Sequence, residues 1–154
     1  MTDKQILKAL SDAIKDDIKA DQRAKNIRAS GRSADSLREE ITDNDLEAVM
    51  NVFGTFYFEF QKRGRRPGKN PPISPILQWI DDKNITPDGI SKKSLAFLIA
   101  KKIGDKGTDI HMGKRPGLDI KTILERNLIN STRQLAKEKS ITYASDFTKL
   151  FNED

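Results

Sequence analysis

The sequence contains no cysteine and only one histidine, His111, among its 154 residues. Without cysteine there is no disulfide, no thiolate metal site and no cysteine nucleophile. Structural zinc sites are excluded as well, because they need several nitrogen or sulfur ligands. No apolar run approaches the roughly 18 residues that a membrane-spanning helix needs, and the first residues, MTDKQILKAL, lack the apolar region of a signal peptide. We therefore expect a protein that is made and used in a cytoplasm-like compartment, without contact with a membrane.

Groupings of catalytic residues are also scarce. His111 lies in a glycine-rich loop, where a lone histidine is usually solvated. The acidic stretch at 43–45 lacks the later glycine and glutamate of a calcium-binding loop. Asp81 and Asp82 are adjacent on a predicted helix and point to different faces, so they cannot share a proton. The segment GDKGTD lacks the spacing and the Lys-Ser/Thr ending of a phosphate-binding loop. We expect no enzymatic activity, no catalytic or metal-binding residue and no cofactor.

What the sequence does contain is charge. It has 28 basic and 23 acidic residues, a net charge of +5 and a pI near 9.4, and charged residues (33%) nearly equal apolar ones (36%). This composition predicts a modest core with solvated or partner-facing surfaces. The mild positive bias permits contact with nucleic acid or with an acidic protein surface without requiring either. The length suits a single domain over residues 1–154.

The first segment has the pattern of an amphipathic helix. Apolar residues recur every four positions at Ile6, Leu10, Ile14 and Ile18, which predicts a helix over about Asp3–Arg28. Thr2 or Asp3 can cap its start, and the stretch ASGRS, with Gly31, is expected to end it.

A β-hairpin is predicted next. The alternation of apolar and polar residues over Leu46–Val52 is typical of a half-buried strand, LREEI is a weaker partner strand, and TDND supplies the turn. The following TFYFEF is either a third strand, with Phe56, Phe58 and Phe60 on one face, or a short helix. Both alternatives remain open from the sequence.

Helices are predicted over the rest of the chain. One begins with Ser74 as N-cap and Pro75 at its first position, and it ends at Asn84 with Ile85 folding back. Ser91 is predicted to cap the next helix, which Gly104 would end. Its large apolar residues are expected at the centre of the core: Leu95, Leu98, Ile99 and Ile103.

From Asp119 a further helix is predicted, and residues 125–154 form a helical or extended arm. The order of helix, hairpin and then helices predicts an α+β fold. It comprises a long N-terminal helix, a small antiparallel sheet and two to three further helices packed on the sheet. The open edges of such a sheet pair with neighbouring subunits unless they are covered.

The segment FEFQKRGRRPGKNPP concentrates positive charge. It holds five cations, Lys62, Arg63, Arg65, Arg66 and Lys69, and a shorter KRPG motif later adds Lys114 and Arg115. Three interpretations compete: a minor-groove arm similar to an AT-hook, with Arg66 inserted into the motif; a solvated loop; and a protein-contact loop with Phe58, Phe60 and Trp79 as apolar anchors. The segment lies between aromatic residues and a well-capped helix, which favours an ordered joint over a mobile arm.

The chain resembles the tail-completion and head–tail joining proteins of double-stranded DNA bacteriophages. Four fragments carry the resemblance in order and spacing: ASGRSADSL (Ala29–Leu37), FYFEFQKRGRRPGKNPPI (Phe56–Ile73), ILQWIDDKNI (Ile76–Ile85) and SLAFLIAKKIGDKGT (Ser94–Thr108). It covers about Ala29–Leu124, and within the family the ring proteins of crAss-like gut phages are the most similar. The chain departs from the family where a glutamate usually precedes the glycine-arginine pair, since Gln61, Lys62 and Arg63 stand there.

The resemblance implies a structural virion protein of the neck or tail, assembled in the bacterial cytoplasm. Such proteins form a cyclic homo-oligomer, sixfold or twelvefold, which joins the portal or connector to the tail and surrounds a DNA channel. The cationic residues would then contact an acidic neighbour or line the channel, in non-specific contact with packaged DNA. The alternative function is that of a small DNA-binding protein that uses the RGRRPGK loop as a minor-groove arm.

Overall fold

The computed structural model describes residues 2–44 and 47–151, with the backbone alone at 142–151. Its elements are α1 (Asp3–Ala24), α2 (Arg32–Asp35), β1 (Arg38–Asp43), β2 (Ala48–Phe53), α3 (Tyr57–Arg63), α4 (Ile73–Asp82), α5 (Lys92–Lys106) and α6 (Ile120–Phe151). The strands pair as a two-stranded sheet. The predicted α+β class, with its long N-terminal helix and small antiparallel sheet, is confirmed. No helix in the described ranges combines the length and apolar content needed to cross a bilayer.

The chain forms two compact units. The first is built from the described residues up to Asp17, from 39–52 and from Lys121 onward. The second comprises Ile18–Arg38 and Phe53–Ile120. Helix α1 runs without interruption from the first unit into the second.

Both ends of α1 are set by local hydrogen bonds. Thr2 and Gln5 form a capping box, because the Thr2 Oγ1 accepts from the Gln5 N–H at 3.3 Å and the Thr2 N–H donates to Gln5 Oε1 at 2.9 Å. The helix ends at Ala24, so the predicted end at Arg28 was wrong. Asn26 adopts a left-handed conformation (φ 53°), which lets the Ile27 N–H reach back to the Gln22 carbonyl at 2.8 Å.

The predicted hairpin is confirmed, whereas the third strand is wrong. Along β2 every second residue is half-buried, as the alternation predicted, and Asp45 and Leu46 lie outside the described residues. The aromatic stretch after β2 forms helix α3 instead of a strand. Helical spacing brings the rings of Phe56 and Phe60 together edge to face at 5.9 Å, and a strand would not make this contact between them.

Helices α4 and α5 build the core of the second unit. Ile76 and Ile80 of α4 pack with Ala96 and Ala100 of α5 in one buried cluster.

The two ends of α4 compare differently with the sequence prediction. The helix begins at Ile73, so the predicted N-cap at Ser74 was wrong by two positions. Pro72 takes the N-cap position instead, because its backbone (ψ 141°) is still extended and the helical conformation starts directly after it. The end is as predicted: Asn84 is left-handed (φ 52°) and the Ile85 N–H bonds the Ile80 carbonyl at 2.9 Å.

The buried face of α5 differs from the prediction. Ser91 caps the helix as expected, since its side chain accepts from the Ser94 N–H. The fully buried residues of α5 are small, namely Ala96, Ala100 and Gly104. Of the predicted large residues, Leu95 and Ile99 are half-buried against the core cluster, whereas Leu98 is 55% exposed. At Gly104 a side chain would not fit, because a Cβ there would collide with Asn70 and lie 3.1 Å from the Gly68 carbonyl oxygen. Gly104 therefore lies inside the helix, which continues to Lys106.

The first unit is held by α1 and α6. Among the side chains that the structure describes, Leu10, Ile14 and Ile123 are the buried apolar ones of this unit. The Asn127 Nδ2 donates to Asp17 Oδ2 at 2.7 Å, and the Arg126 guanidinium donates to the same oxygen at 2.8 Å. Together they lower the pKa of the Asp17 carboxyl, the Asn127 hydrogen bond contributing most. The helix predicted from Asp119 begins at Ile120, and the backbone stays helical to Phe151.

Candidate docking surface

The cationic segment Lys62–Lys69, here called the elbow, begins where α3 stops. Gly64 takes φ 71°, a left-handed value that favours glycine, and its N–H donates to the Phe60 carbonyl at 2.9 Å. The chain then turns away from the helix axis toward the segment that follows α5.

The backbone of the elbow is anchored at three points. The Arg65 N–H donates to Thr108 Oγ1 at 2.9 Å, and the Arg65 carbonyl accepts from the Thr108 N–H at 2.9 Å. Further along, the Gly68 N–H donates to the Gly104 carbonyl at 2.7 Å. The elbow is thus an ordered joint, as its position in the sequence predicted.

Close backbone approach makes these bonds geometrically feasible. A Cβ on Gly104 would collide with the side-chain amide of Asn70, and one on Gly107 would lie 2.6 Å from the Arg65 carbonyl oxygen. Any larger residue at either position would push the elbow off α5.

The arginines of the elbow differ in their roles. The Arg65 guanidinium donates to the Lys69 carbonyl at 2.9 Å and so closes the elbow on itself. Arg63 is 72% exposed and faces Glu59 at 3.6 Å, one helical turn away. Arg66 is exposed and has no ion pair with any described residue.

Two lysines share the situation of Arg66. Lys69 and Lys114 are exposed, and neither has an acidic partner within the described ranges. Lys62 differs, because it is half-buried and its carbonyl lies against Gly117. Three of the seven predicted cations therefore present charge to solvent without a partner in the described part of the chain: Arg66, Lys69 and Lys114.

The later KRPG motif lies beside the end of α3. The Leu118 N–H donates to the Gln61 carbonyl at 2.9 Å. Arg115 is a structural cation, since its guanidinium donates to the carbonyls of Lys25 at 3.0 Å and Asn26 at 3.4 Å. These oxygens follow the last turn of α1 and have no helical partner, so Arg115 satisfies them.

The three predicted aromatic anchors are placed differently. Phe58 is half-buried, and its ring occupies the space that a Cβ on Gly54 would need. Phe60 is 43% exposed and packs against Phe56, which is 67% exposed. Trp79 is 39% exposed and lines an open groove of about 460 Å³ between α4, α5 and the loop that follows α5. Phe60 and Trp79 are available to a partner, whereas Phe58 supports the fold.

Sequence reasoning missed a buried amide network behind the elbow. Gln22 is fully buried, and its amide donates to Gln61 Oε1 at 2.8 Å. The Gln61 amide donates in turn to Ser33 Oγ at 2.9 Å. Gln61 thus ties α3 to α1 and to α2, and nothing in the local sequence signals a contact with residues 28 and 39 positions away.

The described residues contain no cluster of three or more side chains suited to holding a metal ion. His111 is exposed, and its backbone N–H faces Thr108 Oγ1 at 3.5 Å. The histidine therefore lies beside the elbow anchor, and its imidazole forms no hydrogen bond or ion pair with a described side chain.

No protein-family model, curated protein or solved structure matches this chain. The function is accordingly inferred from the elbow and from its surroundings.

Proposed function

We propose that this protein is a structural component of a phage neck or tail and acts by assembling into a ring. In this role the ring joins the portal or connector to the tail and encloses a channel for DNA. The protein would be assembled in the host cytoplasm, reside in the virion and perform no catalysis. The motifs between Ala29 and Leu124 that resemble tail-completion proteins motivate the proposal.

The observation that carries the proposal is the anchored elbow. Its backbone is held by Thr108 and Gly104, while Arg66 and Lys69 project charge that no described residue pairs. A solvated loop does not need such anchors, and a mobile arm would lack them. Fixed cations suit a partner of fixed shape, because little conformational freedom is lost when they bind.

Exposed aromatic residues near the elbow support the same function. Phe56 stacks on Tyr57 with ring centroids 4.4 Å apart, and both rings are more than half exposed. Aromatic and arginine side chains are enriched at the centres of protein interfaces, where they supply much of the binding energy.

The oligomeric state tests the proposal directly. We expect the purified chain to sediment as a closed oligomer and to form rings in negatively stained electron micrographs. In particles of the phage that encodes it, an antibody label should lie at the neck or tail. A chain that stays monomeric at concentrations where micromolar contacts are populated would contradict the ring.

A DNA-binding role remains the second candidate, and the exposed cations Arg66, Lys69 and Lys114 favour it. If all three contacted phosphates of a duplex, the log–log dependence of affinity on salt would have a slope of about −2.7. A ring protein should instead bind labelled duplex weakly at physiological salt, without preference for A·T-rich sequence. Tight, A·T-preferring and salt-sensitive binding would favour the minor-groove arm.

A further inference from the structure

We propose that the elbow of one copy binds the tip of the β-hairpin of the next copy. This inference rests on the proposed ring and names the two surfaces that form its repeating contact. The hairpin tip is defined here as Asp43, Asn44 and Glu47.

Charge is sharply segregated along this part of the chain. Residues 39–61 carry six carboxylates and neither lysine nor arginine. Residues 62–80 carry five cations and no carboxylate. The hairpin and the elbow therefore have opposite charge, although only a short helix separates them in sequence.

The carboxylates at the hairpin tip are available to a partner. Asp43 and Glu47 are exposed, and neither forms an ion pair with a described residue. By contrast, Glu39 at the base of the hairpin is held by both Lys8 and Lys15. Acidic charge available to another molecule is thus found at the tip of the hairpin, away from its base.

Two hydrogen bonds link the described residues of the tip. The Glu47 N–H donates to Asn44 Oδ1 at 3.0 Å, and the Asn44 N–H donates to the Glu47 carbonyl at 3.0 Å. These two bonds hold Asn44 and Glu47 together, with Asp43 directly before Asn44 in the chain. Hydrogen bonds therefore constrain described residues of both surfaces before association, which reduces the entropy lost when they bind.

The sheet itself has room for a partner. Among the described residues each strand has one hydrogen-bonded neighbour, so each also has an edge that no strand covers. Val49 and Phe53 on β2 are each 39% exposed. Uncovered edges and exposed apolar residues are features that sheets usually bury against another surface.

A second copy of this chain fits the hairpin by charge. Arg66 and Lys69 of the elbow, and Lys114 of the later KRPG motif, lack acidic partners among the described residues of their own chain. Asp43 and Glu47 lack basic partners there. Arginine and lysine form strong charge-assisted hydrogen bonds with carboxylates. A contact between two different patches of identical subunits is heterologous, and its repetition closes into a ring when the rotation permits.

Charge reversal on each surface tests this contact. The elbow variant is Arg66→Glu/Lys69→Glu, and the hairpin variant is Asp43→Lys/Glu47→Lys. Alone, each variant juxtaposes like charges at every contact, so we expect monomers. Mixed in equal amounts, the two variants place opposite charges at every contact of an alternating assembly, so we expect closed oligomers with an even number of copies by sedimentation. The fourfold variant that carries both reversals restores opposite charges at every contact and should assemble to the native size.

A matched control changes the same net charge elsewhere. Lys4→Glu/Lys101→Glu replaces two exposed lysines that lie on neither surface, and it should assemble as the native chain does. Raising the salt concentration should weaken the native assembly, because the contact between exposed charges is screened.

Zero-length cross-linking tests the native chain without any variant. Carbodiimide treatment of an assembly made from isotopically light and heavy copies should join Lys69 or Lys114 to Asp43 or Glu47 between copies. Mass spectrometry distinguishes these products from links within one chain.

The outcomes separate this contact from the ring itself. If the native chain assembles and either double variant also does, or if the folded fourfold variant stays monomeric, the proposed contact is wrong while the ring stands. Loss of duplex binding by the elbow variant, with assembly unchanged, would assign the elbow to DNA. A native chain that never assembles would overturn both proposals.

Discussion

At the residue scale, Gly104 is placed where two segments meet. It is buried within α5, its carbonyl accepts from the Gly68 N–H, and the Asn70 side chain fills the space beside its Cα. A glycine inside a helix costs about 1 kcal/mol relative to alanine. The close contact with the elbow explains why the smallest residue stands there.

Gly104→Ala should therefore destabilise the protein in spite of its better helix propensity. We expect a loss of about 1–3 kcal/mol in the free energy of unfolding, because the added methyl group overpacks the site. Urea denaturation followed by circular dichroism measures the change. Combining it with Asn70→Ala removes the obstructing amide and should recover part of the loss. Equal stability of Gly104→Ala and the native chain would show that the elbow can move away from α5 without a loss in the free energy of unfolding.

Thr108 holds the elbow through its hydroxyl group. Thr108→Val keeps the side-chain shape and leaves the Arg65 N–H without its acceptor, which should cost about 1 kcal/mol. We also expect faster trypsin cleavage after Arg63 and Arg65, since the loosened elbow becomes accessible. Thr86→Val, at an exposed threonine whose side chain bonds no described residue, is the matched control. Unchanged cleavage in Thr108→Val would mean that the other anchors suffice.

Local chemistry made some of these residues predictable. Ser91 and Asn84 were identified correctly, because capping and left-handed helix ends depend on neighbouring positions. Asn26 ends α1 in the same left-handed conformation as Asn84. The polar residues after Asn26 are also compatible with a longer helix, which is why the end of α1 was misplaced. Thr108 was not identified, since its bond to Arg65 spans 43 positions and leaves no local signature.

At the scale of elements, short segments were the hardest to predict. Phe56, Phe58 and Phe60 alternate like a strand, yet Phe56 and Phe60 are also one helical turn apart, and six residues cannot separate the two periods. In α5 the large residues predicted the helix correctly, and Leu95 and Ile99 pack against the core, but the fully buried positions are the small residues Ala96, Ala100 and Gly104. The two strands, in contrast, followed their alternation.

The hairpin is fastened at its base by a cluster of charges. Hydrogen bonds from Lys15 and Lys8 lower the pKa of the Glu39 carboxyl from 4.5 to about 2. The same two lysines lower the pKa of the Asp12 carboxyl, with Lys8 the larger cause. These carboxylates bind a proton more weakly in the folded chain than in the unfolded one. Their contribution to stability is thus complete above about pH 4.5 and is lost as the pH falls toward 2.

Glu39→Gln should weaken the dependence of the free energy of unfolding on pH in the acid range. We expect the native chain to lose stability between about pH 4.5 and pH 2, and the variant to be less stable at neutral pH with a shallower slope. Urea denaturation of dilute, unassembled protein across that range measures both. Glu47→Gln removes a carboxylate that has no ion pair among the described residues, and its slope should match the native one. If the native chain and both variants showed the same dependence of unfolding free energy on pH, Glu39 would not contribute to the acid sensitivity.

At the scale of the whole molecule, α1 belongs to both compact units. Ile14 is buried in the first unit, and Trp79, the single tryptophan of the chain, lies in the second. Because α1 is continuous through both units, we expect a loss of stability in one unit to lower the stability of the other. Tryptophan fluorescence therefore reports whether loss of packing in one unit is felt in the other.

Ile14→Ala should lower the denaturation midpoint seen by Trp79 fluorescence. Removing a buried isoleucine side chain to alanine typically costs about 2–5 kcal/mol, and we expect fluorescence and circular dichroism to give one coincident transition. Asp16→Ala, at an exposed position on the same helix, should change the midpoint little. A fluorescence transition unaffected by Ile14→Ala, beside a second transition in circular dichroism, would show that the units unfold separately.

The three anchors of the elbow also bear on how quickly copies would meet. A loop that had to search for its bound shape would make many encounters unproductive and slow association. Because Thr108 and Gly104 fix the elbow before any partner arrives, we infer that the rate of capture is set by diffusion and by the attraction of opposite charges. Growth of the proposed ring would then slow with added salt and respond little to changes in the flexibility of the chain.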